Sequence, residues 1–161
     1  MPVVAAVRSI SKAITLIRVR DSTCLHVHII IITLLTWGTT KKVFTDCIFS
    51  HNRATQINVG GGGIFAQSHA NPEFYNVSFY DNTAITYGGA ILLASASGIF
   101  QNCTIRNNEQ KDAGNGHYSY GGGGGVLITG YSNSIFRTCK WMGNIARGPA
   151  GGGGLMAFAP G

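Results

Sequence analysis

Charge is scarce in this chain. Only 11% of its 161 residues are Asp, Glu, Lys or Arg, and the acids number six: Asp21, Asp46, Glu73, Asp81, Glu109 and Asp112. A divalent-cation cage needs several carboxylate oxygens and sugar-bond chemistry needs a facing pair of acids, so this poverty already narrows both possibilities. No apolar run reaches the roughly 20 residues that span a bilayer as a helix; the longest lies between Cys24 and Trp37. The glycine runs lack the Lys-Ser/Thr of a phosphate-binding loop and the Asp of calcium-binding glycine nonapeptides. Within the repeated segments that follow residue 42, no stretch is long enough for a two-turn amphipathic helix.

What the chain does have is one unit written four times. Its clearest copy runs from Phe74 to Asn82, and the others run Phe44 to Asn52, Phe100 to Asn108 and Phe136 to Asn144, eight residues from Phe to Asn in each. Three residues after the Phe stand Cys47, Val77, Cys103 and Cys139; five after it stand Phe49, Phe79, Ile105 and Trp141. A glycine element also recurs, as Gly61-Gly62-Gly63-Ile64, Gly88-Gly89-Ala90-Ile91, Gly123-Gly124-Gly125-Val126 and Gly152-Gly153-Gly154-Leu155. From its apolar residue to the next Phe takes 10, 9 and 10 residues, whereas from Asn to first Gly takes 9, 6, 15 and 8. The slack lies in one connection, as in stacked coils that bulge outward at a single place.

Short apolar positions separated by Asn, Asp, Thr or Arg read as strands, and each glycine would cost a helix about 1 kcal/mol relative to Ala. The expected fold is all-β, a parallel β-helix of about four coils, with residues 39 to 161 forming the repeats. Equivalent side chains then stack about 4.8 Å apart. Asn52, Asn82, Asn108 and Asn144 should form an asparagine ladder at a corner whose left-handed backbone Asn tolerates. Phe44, Phe74, Phe100 and Phe136, with Cys47, Cys103 and Cys139, should line the core as structural ladders, and the glycine pairs should supply a corner with positive φ or close backbone approach. The cysteines are expected as free buried thiols: Cys47 and Cys103 are two coils apart, about 10 Å and too far to bridge, while Cys103 and Cys139 sit on adjacent coils, just within reach of each other.

The paired motifs Gly88-Gly89-Ala90-Ile91 and Phe79-Tyr80-Asp81-Asn82 resemble the GGA[I/L/V] and FxxN repeats of the polymorphic outer membrane proteins. Phe49-Ser50-His51-Asn52 is a second FxxN copy; Ile105 to Asn108 and Trp141 to Asn144 relax the aromatic slot. The resemblance covers Val43 to about Phe158. It implies a right-handed parallel β-helix, the shape shared with the pectin-lyase-like superfamily, and an adhesin-like or structural role, extracellular, at a cell surface or associated with an outer membrane; the scatter of the acids makes the expected role non-catalytic. Its implied partners are proteins or glycans of a host or neighbouring cell. The bacterial members' C-terminal barrel has no counterpart here, so self-export is not expected.

Residues 1 to 38 stand outside the repeat. Residues 1 to 42 carry Arg8, Lys12, Arg18, Arg20, Lys41 and Lys42 against Asp21, five of the net charge of +6. A basic stretch before an apolar core resembles a secretory signal; a first strand or cap of the solenoid, or upstream sequence joined to the repeats, are the other readings. The basic segment lacks interleaved aromatics, so no nucleic-acid partner is expected. At the other end the chain stops just after a glycine element, which reads as a longer protein's piece or a coil that stacks end to end.

Within the repeats, Asp46, Asn76, Asn102 and Thr138 share one polar slot, read here as a hydrogen-bonding strand position. Two of them open the sequons Asn76-Val77-Ser78 and Asn102-Cys103-Thr104. The long connection from Glu109 to Gly122 is polar, Gly-rich and tyrosine-bearing, the mark of a binding loop on a rigid scaffold. Lys111, Asp112, His117, Tyr118 and Tyr120 are its candidate recognition residues, the tyrosines offering large contact area at low entropic cost. The acids fall at different repeat phases, with Asp81 and Glu109 able to approach across the Asn corner, so no catalytic residues are assigned. The rival reading is a fragment of a polysaccharide-active enzyme. The five histidines share no phase apart from His26 and His28, so neither a metal site nor any cofactor is expected.

Overall fold

The computed structural model describes residues 22–23, 34–36, 42–55, 60–111 and 121–158. Ahead of the repeats lie β1 (Ser22–Thr23) and β2 (Leu34–Thr36). Coil 1 contains β3 (Lys42–Thr45), β4 (Ile48–Ser50), β5 (Arg53–Ala54) and β6 (Ile64–Gln67). Coil 2 repeats the plan with β7 (Pro72–Tyr75), β8 (Ser78–Tyr80), β9 (Thr83–Ala84) and β10 (Ile91–Ala94). Coil 3 holds β11 (Ile99–Gln101), β12 (Thr104–Arg106), β13 (Glu109–Gln110) and β14 (Val126–Thr129), and coil 4 holds β15 (Ile135–Arg137), β16 (Lys140–Met142), β17 (Ile145–Ala146) and β18 (Leu155–Phe158).

These strands stack into four parallel sheets, ordered β1-β3-β7-β11-β15, β2-β6-β10-β14-β18, β4-β8-β12-β16 and β5-β9-β13-β17. The register is that of the repeat alignment: Phe44 faces Phe74, Phe74 faces Phe100, and Phe100 faces Phe136. Phe49, Phe79, Ile105 and Trp141 form the next row, and Ile64, Ile91, Val126 and Leu155 a third. The right-handed parallel β-helix is thus the fold. From the segment 1 to 38, β1 pairs with β3 and β2 with β6; the rest of that segment lies outside the described residues.

The bore of the helix is filled by these ladders. Phe74 stacks on Phe44 at 5.1 Å and on Phe100 at 4.7 Å, with interplanar angles of 10° and 17°, while Phe44 meets Phe49 edge-on at 77°. Face stacking along the axis and edge contacts across it are the geometries that the ring quadrupole favours. Cys47, Val77 and Cys103 are buried. Burial declines in coil 4, where Phe136, Cys139 and Trp141 are only half-buried, because its strands are the outermost of each sheet. The expectation that the ladders fill the core holds for three coils and weakens at the fourth.

The asparagine ladder is present, but its backbone differs from expectation. Each Nδ2 donates to the next coil's Oδ1, at 2.8 Å from Asn52 to Asn82 and 2.9 Å from Asn82 to Asn108 and from Asn108 to Asn144. The left-handed residue is not the Asn but the one before it: His51, Asp81, Asn107 and Gly143 have φ of 58°, 55°, 53° and 59°. That preceding residue takes the turn and swings out, which aims the Asn amide into the bore. The polar slot is likewise corrected. Asp46, Asn76, Asn102 and Thr138 are not strand residues but a second left-handed corner, with φ between 53° and 55°, exposed to solvent.

Thr138 is the poor fit at that corner, since a β-branched side chain resists the left-handed region that Asp and Asn accept. Thr138→Asn is expected to stabilise the protein by about 1 kcal/mol. A shift of the urea midpoint at unchanged slope would register the gain; no shift would mean that the corner is not strained.

Both faces of the sheet containing β10 and β14 are apolar, which the repeat alone does not reveal. Ile91 and Leu93 point into the bore, yet Leu92 and Leu127 between them are also buried. The chain at Gly60 and Tyr87 lies across Leu92: a Cβ on Gly60 would come within 2.7 Å of the Tyr87 Cβ and 2.9 Å of the Leu92 Cβ. The varying connection therefore ends packed on the outside of the helix.

Candidate functional site

The insertion between β13 and β14 is the site that composition marks, and its roots are firmly placed. Lys111 N donates to Ala84 O at 2.7 Å and Arg147 N to Gln110 O at 3.0 Å, so the outgoing strand is held from both neighbouring coils. On the return, Gly88 N donates to Gly122 O at 3.1 Å, and Gly122 bridges Gly151. Gln110 pins the neck from inside. Its buried amide donates Nε2 to Ile85 O at 3.2 Å and Lys111 O at 2.7 Å, and accepts from Gly148 N at 2.9 Å. A fully satisfied buried polar group specifies one arrangement of the three segments that it joins. The motifs of the repeat do not include Gln110, but its row otherwise holds Ala54, Ala84 and Ala146, and a long amide in an alanine row is the available signal.

Of the five candidate recognition residues, Lys111 lies at the root, half-buried, with Nζ 3.9 Å from Glu109 Oε2. Asp112, His117, Tyr118 and Tyr120 lie outside the described residues. Arg147 from coil 4 bonds the same Glu109 carboxylate through Nε. The platform at the base of the insertion is thus Lys111, Glu109 and Arg147, two cations sharing one anion.

The remaining described acids are dispersed. Asp46 Oδ1 accepts from Asn76 Nδ2 at 2.6 Å, and Glu73 Oε2 from the Tyr75 hydroxyl at 2.9 Å. Asp81 approaches His51 Nε2 at 3.7 Å. Asp81 and Glu109 flank the same Asn corner, yet each is engaged by a different partner on a different side. Beside the His51 pair, the Arg106 guanidinium lies 4.6 Å over the Tyr80 ring and His51 meets that ring edge-on, an exposed cation–π arrangement worth about 0.5–1 kcal/mol. No group of three His, Cys, Asp or Glu able to hold a metal occurs among the described residues.

Cys103 has a displaced acidity. Burial pushes its thiol up to about 11, Cys139 adds to the rise, and hydrogen bonding with the Val77 and Gln101 backbone pulls the other way. At neutral pH it is a protonated core thiol rather than an attacking thiolate. The sequon asparagines Asn76 and Asn102 are exposed at their corner, while Val77 and Cys103 point inward as the alternation required.

A family model described as the right-handed beta helix region matches residues 17–116. No curated protein and no solved structure matches the chain. With the four parallel sheets and their stacked ladders in register over that span, the chain belongs to the right-handed β-helix family.

Proposed function

We propose that this β-helix is a non-catalytic repeat module of the polymorphic outer membrane protein kind, extracellular or displayed at a cell surface, with an adhesin-like or structural role. The GGA[I/L/V] and FxxN pairs support that family membership. One observation carries the non-catalytic part: the four described acids outside the N-terminal segment sit at four different positions around the coil, each engaged with its own neighbour. The bound partner is a protein or glycan of a neighbouring cell, taken up by the 109 to 122 insertion, whose roots are braced by Gln110 and whose base carries Lys111 and Arg147.

The competing reading is a fragment of a polysaccharide-active enzyme, favoured by the position of Asp81 and Glu109 on successive coils beside one corner. Binding to cells and a glycan panel, measured next to polygalacturonate cleavage, separates the two. The expected result is binding without turnover. Tyr118→Ala together with Tyr120→Ala should weaken it by about 10-fold or more, given how aromatic side chains dominate such contacts. Polymer cleavage lost on Asp81→Asn or Glu109→Gln would transfer the protein to the enzyme class.

A further inference from the structure

Cys103 and Cys139 occupy the same corner position on coils 3 and 4. Gln101 pairs with Arg137 on one side of that corner and Thr104 with Lys140 on the other, and Lys140 N donates to Cys103 O at 2.9 Å. The two residues therefore stand one above the other at the coil spacing of about 4.8 Å. Both are free cysteines, and their thiols run in parallel, Cys103 Sγ donating to Phe74 O at 3.4 Å and Cys139 Sγ to Phe100 O at 3.5 Å. The next rung on the other side is Val77, which separates Cys103 from Cys47. The pair is also asymmetric: Cys103 is fully buried, whereas Cys139 is half-buried on the outermost coil.

We infer that Cys103 and Cys139 are a redox pair that forms a reversible disulfide by exchange with a small-molecule disulfide of the glutathione type, stapling coil 4 to coil 3. Exposure sets the order of events. Cys139 loses its proton to solvent and its thiolate attacks one sulfur of glutathione disulfide, breaking that S–S bond and releasing the first glutathione. Cys103 then gives up its proton and attacks the Cys139 sulfur, and the second glutathione leaves as a thiol. Two protein thiols are oxidised by two electrons and one glutathione disulfide is reduced to two thiols. Burial keeps Cys103 protonated, so it waits for the mixed disulfide rather than starting the exchange.

The geometry also predicts reversibility. A Cα separation of about 4.8 Å lies inside the range that a disulfide bridges, but the Cβ atoms must draw together to about 3.8 Å, closer than the coil spacing. Coil 4 can yield because β15 and β16 are edge strands. A bridge held under that tension is readily reduced. The closed segment from 103 to 139 contains the whole 109 to 122 insertion, so oxidation closes the chain into a loop around it, whatever the insertion binds.

The full-length protein, equilibrated in glutathione buffers from reducing to oxidising, is quenched with an alkylating agent under denaturing conditions, digested and read by mass spectrometry. The expected product is a Cys103–Cys139 linked peptide that grows with oxidation and disappears on adding a dithiol. Amide exchange across residues 140–158 should slow by at least about 10-fold when the link forms. Cys103→Ser should trap glutathione on Cys139 without slowing exchange, and Cys47→Ser should leave the link intact. Complete alkylation of both thiols in the wild type at the most oxidising ratio would overturn the inference. So would a stable glutathione adduct on wild-type Cys139, or Cys103 linked to any other cysteine.

Discussion

Gly89→Ala is expected to destabilise the protein by at least about 3 kcal/mol, a large share of the 5–15 kcal/mol that holds a typical domain together. Gly89 is not a conformational glycine; it sits where two coils nearly touch. A Cβ there would lie 2.7 Å from both the backbone N and C of Glu109 and would meet the Gly124 carbonyl oxygen more closely still. None of these atoms belongs to a side chain that can rotate away, so relief requires coils 2 and 3 to separate. Separation weakens the hydrogen bonds from Gly89 N to Gly123 O and Ala90 N to Gly125 O, both 2.9 Å. Gly63→Ala is the control. Its Cβ would stand 3.3 Å from Ala90 O, and coil 2 already carries Ala90 at the equivalent place. Urea denaturation should find the Gly63 variant within about 1 kcal/mol of wild type. A Gly89 variant equally stable would mean that the glycine element does not set the coil spacing.

That contrast bears on how much of the fold was legible in the chain. The Phe-to-Asn spacing is invariant because each position in it occupies the bore or a fixed corner, where one inserted residue would reverse every side chain. The register of Phe44, Phe74, Phe100 and Phe136 could therefore be read without coordinates. What escaped was local backbone conformation. Asn is the residue type most at ease in the left-handed region, which argued for placing Asn82 there; the stacking of its amide inside the bore instead puts the turn on Asp81. The left-handed corner at Asn76 escaped for a related reason: a polar residue between apolar ones reads as strand alternation whether the chain runs straight or bends.

The site was less legible than the fold. The insertion after Glu109 was visible as slack in the spacing and as a change in composition. Gln110 was not singled out, since its worth lies in contacts with Ile85 and Gly148, residues in two other coils. The partnering of Asp81 with His51, and of Glu109 with Arg147, depends on which way the corner residues point, and that follows from the same backbone turns that the repeat pattern conceals. Ladders are legible because stacking repeats them; single contacts around an insertion happen once and leave no period.

Asn82→Ala should cost about 4–5 kcal/mol, the largest effect expected of a polar residue in this protein. All the hydrogen-bonding capacity of its amide is used. Nδ2 donates to Phe49 O and Asn108 Oδ1, both at 2.9 Å, and Oδ1 accepts from Asn52 N at 3.1 Å and Asn52 Nδ2 at 2.8 Å. Truncation removes partners from groups on both adjacent coils, in a place where Asn82 is 0% exposed and water cannot easily substitute. Each orphaned buried group costs about 1–3 kcal/mol, and the ladder loses continuity as well as bonds. Asn82→Asp should be no milder, because it turns a donor into an acceptor facing the Phe49 carbonyl and adds a buried charge. Asn144→Ala supplies the comparison. Its amide makes the equivalent bonds to Ile105 O and Asn108, but it is half-exposed on the outermost coil, where solvent can replace them, and about 1 kcal/mol is expected. Equal losses at Asn82 and Asn144 in chemical denaturation would show that the amides act one by one. A loss several times greater at the centre would show that the ladder acts as a unit, with the stability of each rung set by the coils on both sides of it.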